Sequence, residues 1–315
     1  MIQKFNDSLS QFISYSLLKI HIAVMFFGLS GLFGKWIDLP PTLITCARCV
    51  FAFATLFFII LFSKERFALK QTRHYFVFAA LGLLLALHWW AFFYSIQITT
   101  VAVGLLTFST FPVFTVFLET LFFREKIKWT DIAAALAAFG GVAWMLPAFD
   151  LNDATAVGVV FGTLSGLTFA MLQILNRKYV RIYSGKLITC YQTGFAALFL
   201  LPMASIPASG FTTSDILMLM VLGVLCTAAA HSLFISGLHS VKVRTASIIA
   251  GLEPVYGIVF AIIFLLEIPS WKEICGGMVI LSAAVFVSIK KIMFSRNVFL
   301  FLRLIFKIVN IFKFK

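Results

Sequence analysis

A glutamate inside an apolar run, followed at once by proline, is the position in this chain best suited to chemistry. Glu253 lies about seven residues into the apolar segment 246–266, roughly 10 Å from its start at 1.5 Å per residue. An ionisable group at such a depth costs about 2.5–3.5 kcal/mol on insertion, so it faces a cavity or a partner. Pro254 removes one helical hydrogen bond and frees the carbonyl of Ala250. A protonated carboxyl there could bond the freed carbonyls, hold a substrate amine or carry a coupling proton. A structural glutamate that stabilises a kinked helix satisfies the same pattern. Arg48, about seven residues into the segment 41–62, is the second buried charge. It could snorkel outward, pair with a carboxylate or hold an anionic group, and structural fixing between helices is the expected role.

His88, Trp89 and Trp90 are consecutive, and His231 stands alone in a later apolar segment. Two indoles beside an imidazole can wall a pocket for a flat or cationic ligand by stacking and cation–π contact. With 38 Phe among the residues, ordinary packing is the competing explanation. Gln173, Asn176, Ser109 and Tyr256 are further polar groups in apolar surroundings, available to line a binding cavity. Ser109 and its neighbour Thr110 could equally bond carbonyls of their own helix. Pro112 and Pro254 mark expected helix kinks.

The elements that must position these groups are bilayer-spanning helices. Hydrophobic residues make up 62% of the 315, charged residues 12%, and mean hydropathy is +1.04. Soluble domains carry roughly 25% charged residues, so this is an integral membrane protein. About 20 apolar residues cross the hydrocarbon as a helix. Ten segments approach that length: 17–37, 41–62, 75–99, 101–123, 129–147, 156–175, 187–206, 216–238, 246–266 and 271–289. The expected fold is all-α and integral to the membrane, with ten transmembrane helices.

The net charge of +13 does not point to nucleic acid, because the basic residues sit in short loops. With the N-terminus in the cytoplasm, all Lys and Arg except Lys35, Lys272 and Arg48 fall on the cytoplasmic side. The positive-inside rule thus supports ten spans, both termini cytoplasmic, and a cell (inner) membrane location. The partners expected are a small-molecule substrate and a bilayer with an anionic inner leaflet. Ile2, Phe5, Leu9 and Phe12 recur at helical spacing, and Arg296, Arg303, Lys307 and Asn310 form a polar stripe in the tail. Both ends are read as interfacial helices. All five cysteines fall in apolar segments, so no disulfide framework is expected, and Cys46 and Cys49 are read as packing residues.

The second five segments resemble the first five. Leu43-Ile44-Thr45-Cys46 matches Leu187-Ile188-Thr189-Cys190, and Pro112, Glu125 and Trp129 match Pro254, Glu267 and Trp271. Five spans per half make the second half start from the opposite side, giving inverted repeats with a substrate site between them. Gly28, Gly31 and Gly34 in the first span, and Gly158, Gly162 and Gly166 in its counterpart, suggest a closely packed mobile helix pair between the halves. The organisation expected is an interfacial segment 1–16, repeats at 17–147 and 156–291, a linker 148–155 and a basic amphipathic tail 292–315. The Ala-rich fifth span and Gly276-Gly277 offer surfaces for a homodimer.

Three stretches carry a family resemblance. PPTLITCARCVFAFATLF, with its buried Arg, LLTFSTFPVFTVFLETLFFREKIKW and ASIIAGLEPVYGIVFAIIFLLEIPSW resemble the second, fourth and ninth helices of EamA-type transporters of the drug/metabolite transporter superfamily. Where that family often has Gly before the loop glutamate, this chain has Arg124 and Leu266. The resemblance implies a ten-helix carrier of small metabolites. Gly28-Leu29-Ser30-Gly31 also satisfies the G-x-S-G pattern of intramembrane serine proteases, with a histidine from another span as base. Packing accounts for those glycines, and the loops are too short for a scaffold or receptor. No Walker-type phosphate loop occurs, and no cofactor or metal is expected. The function read from sequence is non-enzymatic: alternating-access transport of an amino acid or related amphipathic or cationic solute.

Overall fold

A computed structural model describes the backbone of residues 2–63, 65–123, 127, 129–145, 152–205 and 210–293. Side chains within these are described from Tyr15 to Phe286, except Arg244. Glu125, the side chains of the amphipathic N-terminal segment up to residue 14, linker residues 148–151 and the tail from 294 lie outside the described residues.

The described residues are helical and include no strand. The helices are α1 (Ile2–Trp36), α2 (Pro41–Phe62), α3 (Thr72–Ile98), α4 (Val101–Phe108), α5 (Phe111–Phe123), α6 (Trp129–Met145) and α7 (Ala154–Tyr179). There follow α8 (Gly185–Leu200), α9 (Thr213–Gly223), α10 (Ala230–Gly237), α11 (Val243–Ala250), α12 (Glu253–Leu265) and α13 (Trp271–Met293). Polar caps start several of them. Asp153 accepts from Thr155 N, Ser184 from Leu187 N, and Thr212 and Asp215 form a capping box. α1 runs unbroken through residue 16, so the backbone has no break at the expected edge of the interfacial segment.

Seven stretches among the described residues are long and apolar enough to cross a membrane. They are Tyr15–Trp36, Pro41–Phe62, Thr72–Ile98, Val101–Phe122, Ala154–Tyr179, Thr213–Gly237 and Thr245–Leu265. Of the other three segments read from sequence, two form shorter helices. α6 has 17 residues. α8 has 16, about 24 Å of helix against a hydrocarbon core of about 30 Å, because the chain turns through Leu201–Met203 at Pro202. α13 runs for 23 residues, and its side chains are described as far as Phe286.

Two of the spanning stretches are broken in the middle. α4 and α5 are separated at Ser109-Thr110, and α11 and α12 at Gly251-Leu252. Each second piece has proline as its second residue, Pro112 or Pro254. Proline lacks the N–H that would continue the ladder. Ser109 Oγ donates to Leu105 O at 2.8 Å and Thr110 Oγ1 to Thr107 O at 2.8 Å, satisfying carbonyls at the first break. α9 and α10 are joined by one π-helical stretch, Val224–Ala229.

The packing pairs α1 with α10 and α12, α3 with α7 and α8, α2 with α8 and α9, α4 and α5 with α7, and α6 with α13. The glycine stripes of α1 and α7 therefore do not face each other, as the sequence had suggested. A Cβ at Gly28 would lie 2.9 Å from Glu253 O on α12, and one at Gly166 would lie 2.6 Å from Phe108 O on α4. Gly28 thus admits α12 and the α7 stripe admits α4, each a helix from the other half of the chain, because only a bare Cα lets backbones come so close, whereas Gly31 and Gly34 face Ile96 and other residues of their own half. Outward faces carry Phe58, Phe62, Phe76, Leu136, Ile263 and Phe264, all exposed, as lipid contact requires.

Candidate functional site

One cavity, of about 20 Å³, lies where the broken helices meet the glycine stripes. It is lined by Phe27 and Ser30 of α1, Arg48 of α2, His88, Trp89 and Phe92 of α3, Phe108 of α4, Phe169 of α7, His231 of α10 and Glu253 of α12. A space of that size holds about one water, so the site is nearly filled by its own side chains.

Arg48 is 1% exposed. Its Nε donates to Thr227 Oγ1 at 3.0 Å, and the Thr227 hydroxyl donates to Leu222 O, five residues back, at 2.8 Å. The π-helical stretch creates that register. The guanidinium carbon stands 4.0 Å from the Trp89 ring centroid and 5.2 Å from that of Phe93. Among the described residues, Nη1 is buried without a hydrogen-bond partner. Trp89 in turn meets the His231 ring edge-on, centroids 4.9 Å apart, and His231 Nδ1 has no partner either.

Glu253 is 4% exposed and begins α12, where a carboxylate faces the positive end of the helix. It shares the cavity with Arg48, yet among the described residues the two form no ion pair. His88 Nδ1 lies 2.9 Å from Ser165 Oγ and 3.0 Å from its carbonyl, and the ring stacks on Phe169 at 5.2 Å. Ser30 lines the cavity too, but among the described residues neither His88 nor His231 hydrogen-bonds to it, so the pair a serine nucleophile needs is not formed.

Phe169 is the hub of the cavity floor. Its ring meets Phe108 and Phe111 at 5.2 Å each, Phe234 at 5.9 Å and Phe27 at 6.5 Å. Further along α7 lies a second polar group, in which Gln192 donates to Asn176 at 2.6 Å and Ser247 to Gln173 at 3.2 Å.

The structure therefore brings together Arg48, His88, Trp89, His231 and Glu253. It sets Gln173 and Asn176 in the second cluster. Trp90 stacks with Tyr94 at 5.6 Å, away from the cavity. Ser109 is engaged with its own helix, and Tyr256 packs on Gly28. Thr227, Phe169 and the π-helical stretch had no distinguishing signal in the sequence. A threonine in an apolar run is common, and the i−5 bond becomes visible only once α9 lies against α2.

The model of the EamA-like transporter family matches the chain twice, over residues 14–146 and 156–289. This chain belongs to the EamA-like transporter family. Within the drug/metabolite transporter superfamily it is similar to the transporter YxxF of Bacillus subtilis, 26% identical over 80% of this chain and 82% of that one. It is also similar to the S-adenosylmethionine uptake transporters of Rickettsia prowazekii, 27% identical over 76% of this chain and 80% of the relative, and Rickettsia conorii, 27% identical over 73% and 76%. A solved crystal structure shares the fold with a TM-score of 0.64 at 16% identity, covering 87% of this chain and 97% of its own. As an EamA-like transporter, the chain is a multi-helix membrane protein whose business is moving a solute.

Proposed function

We propose that this EamA-like protein is a secondary transporter of a small amphipathic or cationic metabolite of amino-acid type. It works by alternating access between two inverted five-helix halves, 17–147 and 156–291, in the inner membrane with both termini cytoplasmic. The observation that carries the reading is the convergence of Arg48, His88, Trp89, His231 and Glu253, drawn from both halves, on one small cavity. Ionisable groups buried together at mid-helix depth mark a solute path.

The packing supports the inverted repeat. α1 against α10 has its counterpart in α7 against α3, and α1 against α12 in α7 against α5. The two broken helices correspond in the same way. Such breaks next to a shared cavity suit rocking of one half on the other. The basic residues support the orientation.

The name of the Rickettsia relatives suggests the substrate class. S-adenosylmethionine joins an amino-acid group to a sulfonium cation and a flat base. Glu253 suits the cation and Trp89 the flat or cationic part. Uptake by the purified protein in proteoliposomes, using S-adenosylmethionine and a panel of amino acids with and without a pH gradient, tests the reading. Saturable uptake of at least one of them supports it. If none moves in either gradient, the reading fails. Fusions at Lys315 test the orientation, with a fluorescent cytoplasmic reporter active and an export-dependent phosphatase silent.

A further inference from the structure

We infer that Arg48 is the docking point for an anionic group of the transported solute, a carboxylate by preference, and that Thr227 is the positioning residue that holds it ready. This rests on the carrier reading above and adds to it the part of the solute that must be negative.

Arg48 has the geometry of a prepared half of a pair. Its Nε is taken by Thr227, and one face of its guanidinium is covered by Trp89. Those two contacts fix the plane of the fork, and on a residue that lines the cavity they leave Nη1 buried with no hydrogen-bond partner among the described residues. A buried arginine with an unused donor and no ion-paired carboxylate lacks its natural complement, since burying an uncompensated charge is strongly unfavourable. Glu253 lines the same cavity, and among the described residues it forms no ion pair with Arg48. Guanidinium donors match a carboxylate in two parallel bonds. Filling that role requires the cavity to widen, because a carboxylate exceeds the space now open.

Thr227 owes its place to a local departure from α-helix. In the stretch Val224–Ala229 its hydroxyl donates to Leu222 O, so the oxygen's lone pair is left to accept from Arg48 Nε. Gly223 lets this segment lie on α2, since a Cβ there would come within 3.0 Å of Arg48 O. π-helical insertions of this kind recur at functional sites. A purely structural arginine would need the same contacts to Thr227 and Trp89, but it would have no reason to leave Nη1 unused.

The test uses the full chain in proteoliposomes. The solutes are L-methionine, L-phenylalanine and L-lysine against their methyl esters, and S-adenosylmethionine against its decarboxylated form. For the wild type, each solute with a free carboxylate that is transported should compete at least 30-fold better than its partner without one. Arg48→Gln should reduce that ratio to below about threefold. Thr227→Val should raise KM for the carboxylate solutes about tenfold with Vmax within twofold, as expected for one weakened charged hydrogen bond. Thr227→Ser should restore it. A merely structural Thr227 would lower the amount of active protein and leave both KM and the ratio unchanged. If Arg48→Gln does not insert, the ratio in Thr227→Val decides alone. Wild-type protein that takes esters and acids equally well, or Thr227→Val with an unchanged KM, overturns the docking role while leaving the carrier reading standing. Failure of every solute to move overturns both.

Discussion

The Arg48 guanidinium carbon lies 4.0 Å over the Trp89 ring, and the same indole meets the His231 ring at 4.9 Å. Trp89 thus stands between a cation from one half of the chain and an imidazole from the other. A desolvated cation–π contact is worth about 2 kcal/mol. Trp89→Leu is expected to lose that contact and lower the apparent melting temperature of the detergent-solubilised protein by several degrees. Trp89→Phe, which keeps an aromatic face, should lose about half as much. Equal melting temperatures for wild type and Trp89→Leu would show that the stacking is energetically idle.

Two adjacent glycines should respond in opposite ways. A Cβ at Gly140 would meet nothing within 4 Å, whereas one at Gly141 would lie 2.7 Å from Gly276 O on α13. Gly140→Ala is expected to be neutral or stabilising by up to about 1 kcal/mol, from helix propensity. Gly141→Ala should destabilise by about 1–3 kcal/mol, from overpacking against backbone. Size-exclusion profiles and thermal unfolding of the two variants check this. Like behaviour of the pair would contradict the α6–α13 contact.

Thr100 caps α4 and donates to Glu273 on α13 at 2.7 Å, while Glu267 Oε1 accepts from Ala102 N at 3.3 Å. Carboxylates from the second half thus sit at the N-terminus of a first-half helix, where the helix dipole favours them. Thr100→Val and Glu273→Gln should each destabilise by about 1–2 kcal/mol. Together they should fall short of the sum by about 1 kcal/mol, because they remove one bond. Strict additivity in the double-mutant cycle would mean that the bond does not exist in the membrane.

Leu266 ends α12 with φ 56° and ψ 25°, the only non-glycine at positive φ among the described residues. It is also 82% exposed, so the side chain gains little from packing. The left-handed region costs an L-residue roughly 1–2 kcal/mol. Leu266→Gly should recover about 1 kcal/mol and raise the melting temperature, with transport unchanged. A lower melting temperature would show that the leucine side chain is needed at that turn.

Glu253→Gln keeps the shape of the side chain and removes its charge. Under the proposed function, KM for cationic solutes should rise at least tenfold, and KM for uncharged ones should change less than threefold. Uptake titrations in proteoliposomes read both. Equal effects on the two classes would assign Glu253 to the framework of α12 rather than to the solute.

Much of this protein was already legible in its residues. Apolar runs of spanning length can only be satisfied as helices in lipid, so all-α architecture followed from composition. Proline at 112 and 254 announced the two breaks, because a residue without an N–H interrupts the ladder wherever it falls. Glu253 and Arg48 stood out because charge is costly in such surroundings. The tertiary structure decided which polar groups share a space. Arg48, the His88-Trp89 pair, His231 and Glu253 are separated in sequence and meet because glycines such as Gly28 and Gly166 let α1 and α7 press against the opposite half. Gln173, Asn176 and Trp90 look no different in sequence, and the rotation of their helices turned them elsewhere. Thr227 and Phe169 were silent for the same reason. A side chain's role in a helical bundle depends on the face it presents, and that face is set by packing between segments distant in the chain.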